Sequence, residues 1–274
     1  ELCRAGIECC VIDKRSIATG SSAASTALLQ YEIDVPLCRM AKIISEENAA
    51  TAYHACLQSI SDIKKVLKET GVDAGFEQLS SVFYASCSAD NKLLEQEYEI
   101  RQKHELPVNL LKKQEIRKRY KVKVPGNALV NETSAQMDAY RAATGLLTYH
   151  MKENGLKVFT HTNIKKCTET SDGCIMITDK GNKIKCGYAI VATGFEAGQF
   201  LPQKIMDLTS TYALISHPVA PEYLWPEHYL IWETADPYLY IRTTDGNRII
   251  VGGEDEKFSD PEHLSLIHIS EPTR

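Results

Sequence analysis

Residues 6–26 read GIECCVIDKRSIATGSSAAST, and the way this stretch divides decides the fold. Ile7 to Ile12 is apolar except for Glu8, the composition of a strand buried on both faces in a parallel sheet. Asp13 stands where that strand stops, and small residues lead from it to Thr26. In a dinucleotide-binding unit, an acidic residue at the end of the second strand accepts hydrogen bonds from the ribose hydroxyls of an adenine nucleotide. Asp13 has the chemistry for that role; the plain alternative is a strand-end carboxylate with no ligand.

Such a unit also needs a first strand and a Gly-x-Gly-x-x-Gly turn, roughly twenty residues before the acidic residue. Here Glu1 to Ala5 followed by Gly6 reads as the last turn of a helix closed by a glycine. The expectation is a chain that opens inside the first helix of the unit, without that strand and turn, and that as written holds a dinucleotide cofactor weakly or not at all.

The 274 residues are ample for a core, and 43% hydrophobic with 24% charged residues is the balance of a globular protein. A net charge of −5 favours neither nucleic acid nor an acidic lipid surface as a partner. The basic run Lys112 to Lys123 is interrupted at helical spacing by Glu115, Ile116 and Tyr120, which suits a solvated helix face. Nine cysteines without a Cys-x-x-Cys pair read as buried small hydrophobes in a reducing compartment, and predict a cytoplasmic protein. No histidine or cysteine spacing predicts a structural zinc site. No apolar run approaches the roughly 20 residues of a membrane span.

Further along, Leu28 to Val35 predicts a short strand, and apolar residues between Arg39 and Thr70 recur at helical spacing up to Gly71. Phe76 to Ser86 predicts a strand, Ser88 to about Leu106 a helix, and Val108 to Arg119 a further short helix. Ala128 to Met137 predicts a strand. Asp138 caps a helix over Ala139 to Glu153, with Asn154-Gly155 as its stop. Then come strands at Leu156 to Thr160, Asn163 to Thr170, Cys174 to Thr178 and Lys183 to Cys186. Tyr188 to Thr193, YAIVAT, repeats the opening logic: a fully apolar strand that ends at a glycine, Gly194. Strands are predicted again at Thr211 to His217, Tyr229 to Glu233, Tyr238 to Arg242 and Arg248 to Gly252, the last two joined by the turn Thr244 to Asn247. Leu264 to Arg274, LSLIHISEPTR, continues none of these patterns and resembles translated sequencing-adapter read-through, so it is left out of the fold reasoning.

Taken in order, CVIDKR and ATGSSAAS, then MDAYR and GLKVFTHTNI, then AIVATG, then PYLYIRTTDGNRIIVGGEDE resemble the D-amino-acid-oxidase-type family of FAD-dependent oxidoreductases, which includes glycine oxidase and the D-amino-acid dehydrogenases. The resemblance implies an α/β fold in which a Rossmann-like FAD-binding domain is interleaved with a β-rich α+β substrate domain. Residues 1–30 and 138–200 would form the first, residues 31–137 and 201–263 the second, and 264–274 a non-native tail.

By the same resemblance Asp13 would hold the adenosine ribose, with Lys14 or Arg15 near the adenine. Ser21, Ser22, Ala24, Ser25 and Thr26 would run beneath the pyrophosphate toward the flavin, where small residues let backbone N–H groups approach. Ile164 would meet the adenine through its backbone, besides packing in the core. Ala192, Thr193 and Gly194 would close over the nucleotide. Thr26 departs from the pattern, standing where many members have glycine.

The chemistry that the resemblance implies is oxidation of a carbon–nitrogen bond of an amino acid or secondary amine, by hydride transfer to FAD. Tyr240 matches a substrate-facing tyrosine, and Arg242, two residues on, shares its strand face and could bind a carboxylate bidentately. The alternatives are a core aromatic and a surface ion-pair residue. In the family, a carboxylate-binding arginine and a second flavin-contacting glycine segment come from sequence C-terminal to these motifs. A second function class, a nucleotide-binding module or inactive fragment without redox turnover, stays open at this point.

Overall fold

The computed structural model describes residues 1–200 and 209–257. Glu1 to Ala5 makes one helical turn, with the Ala5 N–H on the Glu1 carbonyl at 2.9 Å, and Gly6 at φ +74° turns the chain out of it. The chain then forms β1 (Cys10–Ile12) and, after an irregular loop, β2 (Leu28–Leu29). Helix α1 (Leu37–Ile44) follows Pro36, and α2 (Glu46–Thr70) stops at Gly71, whose φ of +67° lets its N–H return to the Leu67 and Lys68 carbonyls. Next come β3 (Glu77–Tyr84), α3 (Asn91–Lys103), β4 (Asn109–Leu111), α4 (Lys113–Arg119) and β5 (Ala128–Gln136). In α5 (Ala139–Glu153), the Asp138 side chain accepts the Arg141 N–H at 2.9 Å, the cap the sequence predicts. The remaining strands are β6 (Lys157–Phe159), β7 (Ile164–Thr170), β8 (Gly173–Thr178), β9 (Lys183–Cys186), β10 (Thr209–Ile215), β11 (Leu230–Glu233), β12 (Leu239–Thr243) and β13 (Ile249–Lys257).

These strands build three sheets of a mixed α/β fold. A large sheet runs β10-β13-β12-β11-β3-β5-β2, with β4 also on β5; β11 and β3 are parallel and the other neighbours antiparallel. β1 pairs in parallel with β6, Ile12 opposite Phe159, while β7, β8 and β9 form an antiparallel sheet.

Alternation along the large sheet separates two cores, because successive strand residues point to opposite faces. Val82, Val130 and Ile231 pack with Ile116 and Tyr120 of α4 and its C-terminal end. Phe83, Leu129 and Trp232 pack on the other face with Leu94 of α3, and Tyr238 and Tyr240 join them there. Opposite one another in the β3–β11 register, the Phe83 and Trp232 rings stack with centroids 3.8 Å apart. A third core joins Tyr31, Leu37, Ala49, Tyr53 and Leu106 between the helices and the chain after β2.

Several sequence expectations are corrected. The strand expected over Ile7 to Ile12 is shortened to β1 and is not buried on both faces: Cys10 is exposed and Ile7 is 52% exposed. Tyr188 to Thr193 forms no strand, and Tyr188 is 93% exposed. Apolar composition specifies burial only where another element supplies the covering face, and no described strand pairs with these residues. Val108 to Arg119 is divided, because Asn109 to Leu111 bonds to Val130 to Ala128 of β5 and only the following residues are helical. The strand expected over Leu28 to Val35 is two residues long, since Tyr31 turns into the third core. None of the nine cysteines is fully buried; Cys10, Cys87 and Cys167 are exposed. Residues 264–274, together with 201–208 and 258–263, lie outside the described residues. No described helix is long and apolar enough to cross a membrane.

Candidate cofactor and substrate site

The end of β1 is fixed by its neighbour. The Asp13 N–H bonds to the Phe159 carbonyl at 2.9 Å, the Asp13 carbonyl accepts the Thr162 N–H at 3.0 Å, and the Arg15 carbonyl accepts the His161 N–H at 3.2 Å. Asp13 Oδ1 accepts the Arg15 N–H at 2.8 Å, which sets the carboxylate at the start of the loop. Ile164 opens β7 directly after the segment that holds Asp13 and Arg15. Lys14 and Arg15 both pair with Glu196, and the Glu196 N–H reaches the Thr193 carbonyl. The structure therefore brings Asp13, Lys14 and Arg15 close to the segment Ala192 to Gly194, although those three residues are exposed and outside any strand.

Ser21, Ser22 and Ala24 lie on the exposed loop. Gly20 in that loop lies under the Arg15 guanidinium, where a Cβ would come within 2.9 Å of Nη2, a contact that the flexible, exposed Arg15 side chain relieves by moving. The chain turns inward at Thr26, while Ser25 is still exposed. The Ser25 hydroxyl accepts the Ala27 N–H at 3.2 Å, and Ala27 takes φ +47°, a left-handed conformation that costs a non-glycine residue about 1 kcal/mol.

Beyond this turn is a cavity of about 370 Å³, lined by Ser25 to Gln30, Glu32, Asp34, Met137, Ala139, Trp232, Tyr238 and Tyr240. Three aromatic rings form one wall, with Trp232 and Tyr238 centroids 6.1 Å apart and Tyr238 and Tyr240 6.0 Å apart. Underneath, Ser81 Oγ accepts from Trp232 Nε1 at 3.0 Å and from Gln30 Nε2 at 2.9 Å. Tyr238 donates to Asp34 Oδ1 at 2.8 Å; burial first, and then this carboxylate, push its phenol pKa up, so it stays a donor.

Tyr240 lines the cavity, whereas Arg242 does not. Arg242 is buried and donates to the carbonyls of Thr26, Thr243 and Met137 and to Gln136 Oε1. It ties the inward turn to β12 and to the end of β5. Burial lowers its pKa from the usual value.

Sequence reasoning missed Glu32, Asp34, Trp232 and Tyr238. One signal was present: Gln30, Glu32 and Asp34 alternate, and in an extended segment alternate residues share a face. The aromatic wall had no local signal, because Trp232 and Gln30 each reach Ser81 Oγ only over long sequence separations.

A parallel strand ending in an acidic residue, a loop of small residues, and a cavity beside a large mixed sheet are the parts of an α/β enzyme that uses a nucleotide cofactor. The chain belongs to the DAO family of FAD dependent oxidoreductases, whose model matches residues 1–271. FAD is the cofactor of that family. The donor set fits the group: a carboxylate for ribose hydroxyls, a loop whose small side chains leave its backbone open, and an inward turn leading to the aromatic wall.

Among solved structures, glycine oxidase from Geobacillus kaustophilus is 17% identical with a TM-score of 0.73, covering 97% of this chain and 71% of that one. L-proline dehydrogenase from P. horikoshii is 21% identical with a TM-score of 0.71, covering 97% and 70%. L-amino acid deaminase from Proteus vulgaris is 13% identical with a TM-score of 0.70, covering 99% and 62%. These are likenesses of fold. A comparison with curated proteins finds no match.

Proposed function

We propose that the protein oxidises the carbon–nitrogen bond of an amino acid or secondary amine in the cavity beside Ser25 to Gln30. The observation that carries this reading is the meeting of that turn with Tyr240, Tyr238 and Trp232 around one small cavity with carboxylates on its edge. Three solved structures of the same fold are a glycine oxidase, a proline dehydrogenase and an amino acid deaminase, which supports an amino acid or amine as substrate.

Bound FAD supplies a two-electron acceptor for the hydride leaving the substrate carbon. In this reading Asp13 holds the ribose, and the backbone from Ser21 to Thr26 faces the phosphates. Ile164 and Ala192 to Gly194 flank the adenosine. Arg242 acts as a positioning residue: its bond to the Thr26 carbonyl keeps the inward turn against β12. Tyr240 and Trp232 cover the reacting carbon and exclude water, and orientation by such walls supplies much of the rate. Residues 1–30 with 138–200 serve the cofactor, and residues 31–137 with 201–263 serve the substrate.

The test is anaerobic mixing of the FAD-reconstituted chain with a panel of amino acids and secondary amines. Bleaching of the flavin absorbance, with an oxo acid and ammonia or amine as products, supports the reading. A flavin that binds and stays oxidised with every amine overturns it.

A further inference from the structure

The sulfurs of Cys3 and Cys9 stand 3.4 Å apart, the contact of a thiol–thiol hydrogen bond, and both residues are half-buried, within reach of a small solute. The backbone sets this approach. The Gly6 N–H returns to the Cys3 carbonyl and the Ile7 N–H to the Leu2 carbonyl, each at 3.0 Å, so the chain folds back at Gly6 and lays Cys9 beside the turn. On its other side the turn is fastened to the end of α2 by the ion pair of Arg4 with Glu69. A disulfide needs its sulfurs about 2 Å apart, so the approach still to be made is about 1.4 Å. Cys10, next in the chain, is exposed and belongs to the opposite face, because successive residues of an extended segment alternate.

A cross-link at this point acts on β1. Among the described residues β1 pairs only with β6, Cys10 to Ile12 opposite Lys157 to Phe159, and none of its three residues is fully buried. A strand with one neighbour and little buried surface opens locally at low free energy. Its end carries Asp13, so what holds β1 also holds that carboxylate in place.

We propose that Cys3 and Cys9 are a dithiol site for a small-molecule disulfide, closing a Cys3–Cys9 bond that staples β1, and with it Asp13, to the turn at Gly6. The inference goes beyond the proposed amine oxidation and does not depend on it. With glutathione disulfide as the oxidant, the Cys3 thiolate attacks one of its sulfurs, forming a mixed disulfide and releasing one glutathione thiolate. The Cys9 thiolate then attacks the Cys3 sulfur, forming the protein disulfide and releasing the second. The two protein thiols lose two electrons and two protons, and glutathione disulfide is reduced to two thiols. The Cys9 thiol is held above its ordinary range first by the hydrogen bond with Cys3 and then by burial. The first step consumes the Cys3 thiol, and so frees Cys9 to ionise for the second.

The test treats the full chain with glutathione disulfide, alkylates the remaining thiols and digests with trypsin, which cuts after Arg4 and Lys14. The expected product is the peptide Glu1 to Arg4 joined to Ala5 to Lys14, two hydrogens lighter than the pair, with fragmentation placing the bond on Cys9 and not on Cys10. Dithiothreitol is expected to reverse it. Cys10→Ser keeps the link, and Cys9→Ser stops at glutathione on Cys3. Hydrogen exchange over residues 10–13 is expected to slow about tenfold or more in the oxidised protein. Glutathione left on wild-type Cys3 with no link, a bond to Cys10, or exchange that oxidation leaves unchanged overturns the proposal. Fragmentation and exchange are both read on wild type, so the outcome does not hang on the folding of either variant.

Discussion

Tyr240 lies across Gly252, its partner in the β12–β13 register, so closely that a Cβ on Gly252 would stand 2.3 Å from the tyrosine Cζ and OH. No side chain fits there while the ring stays in place, so the position of Tyr240 in the cavity wall is set from the neighbouring strand. Gly252→Ala is expected to displace the ring, to destabilise the protein by about 1–3 kcal/mol, and to lower kcat/KM for amines about tenfold or more. Gly246→Ala, in the exposed turn and with its nearest atom 3.8 Å away, is expected within about 0.5 kcal/mol of wild type. Thermal melts and flavin-bleaching rates on both variants check this; equal losses would show that Gly252 does not hold the ring.

Arg242 separates a positioning role from a carboxylate-binding one. Its donors meet the carbonyls of Thr26, Thr243 and Met137, so Arg242→Met leaves buried acceptors unpaired. Charged hydrogen bonds of this kind contribute about 1.5–3 kcal/mol each. The expected result is a lower melting temperature and faster loss of FAD on dilution. The KM ratio between an amino acid and its amide is expected to stay at the wild-type value. A selective rise in KM for the free carboxylate would place Arg242 on the substrate instead.

The elements that could be read from sequence are those specified locally. Asp138 and Asn154 bracket α5, and Gly71 ends α2, because a cap or a left-handed glycine acts within one turn of the residues it stops. The strand expected at Tyr188 to Thr193 failed because pairing needs a partner that composition cannot name. Nothing in the sequence marks Glu97 and Arg101, four apart on α3, as buried; the packing of α1 and the chain after β2 buries them. At the cavity, Tyr240 is the one wall aromatic that the motif singled out, while Trp232 reaches it through the pairing of β11 with the distant β3.

Asp90 gives the protein an acid limit. Its Oδ2 accepts from Thr234 Oγ1 at 2.5 Å and Ser86 Oγ at 2.9 Å, and the hydrogen bond from Thr234 is the leading cause holding its carboxyl below the usual range. A folded pKa below the unfolded value means stability that is present above the unfolded pKa, about 3.9, and lost as pH falls through the folded one. Wild type should therefore exceed Asp90→Asn in melting temperature at neutral pH, with the gap closing as the pH drops below about 4. A gap independent of pH between 3 and 7 would exclude this linkage.

Arg101 offers the sharpest stability test, because it compensates Glu97 and Glu32 at once and lies 5.4 Å and 5.6 Å from the ring centroids of Tyr31 and Tyr53. Arg101→Met keeps the bulk but leaves two buried carboxylates without their cation, a change expected to cost about 3–5 kcal/mol at neutral pH. Both carboxylates would then hold protons more tightly in the folded than in the unfolded chain. The sign follows: the native state binds more protons, so the variant loses stability as pH rises from about 4 and is least impaired in acid. Adding Glu32→Gln removes one of the stranded charges, so the double variant should lose less than the sum of the single losses, by about 0.5–3 kcal/mol. Urea unfolding of the four proteins at pH 5 and pH 7.5 measures that coupling; additive losses, or an Arg101→Met deficit that does not shrink in acid, would mean that Arg101 acts through packing against Tyr31 and Tyr53 and not through its charge.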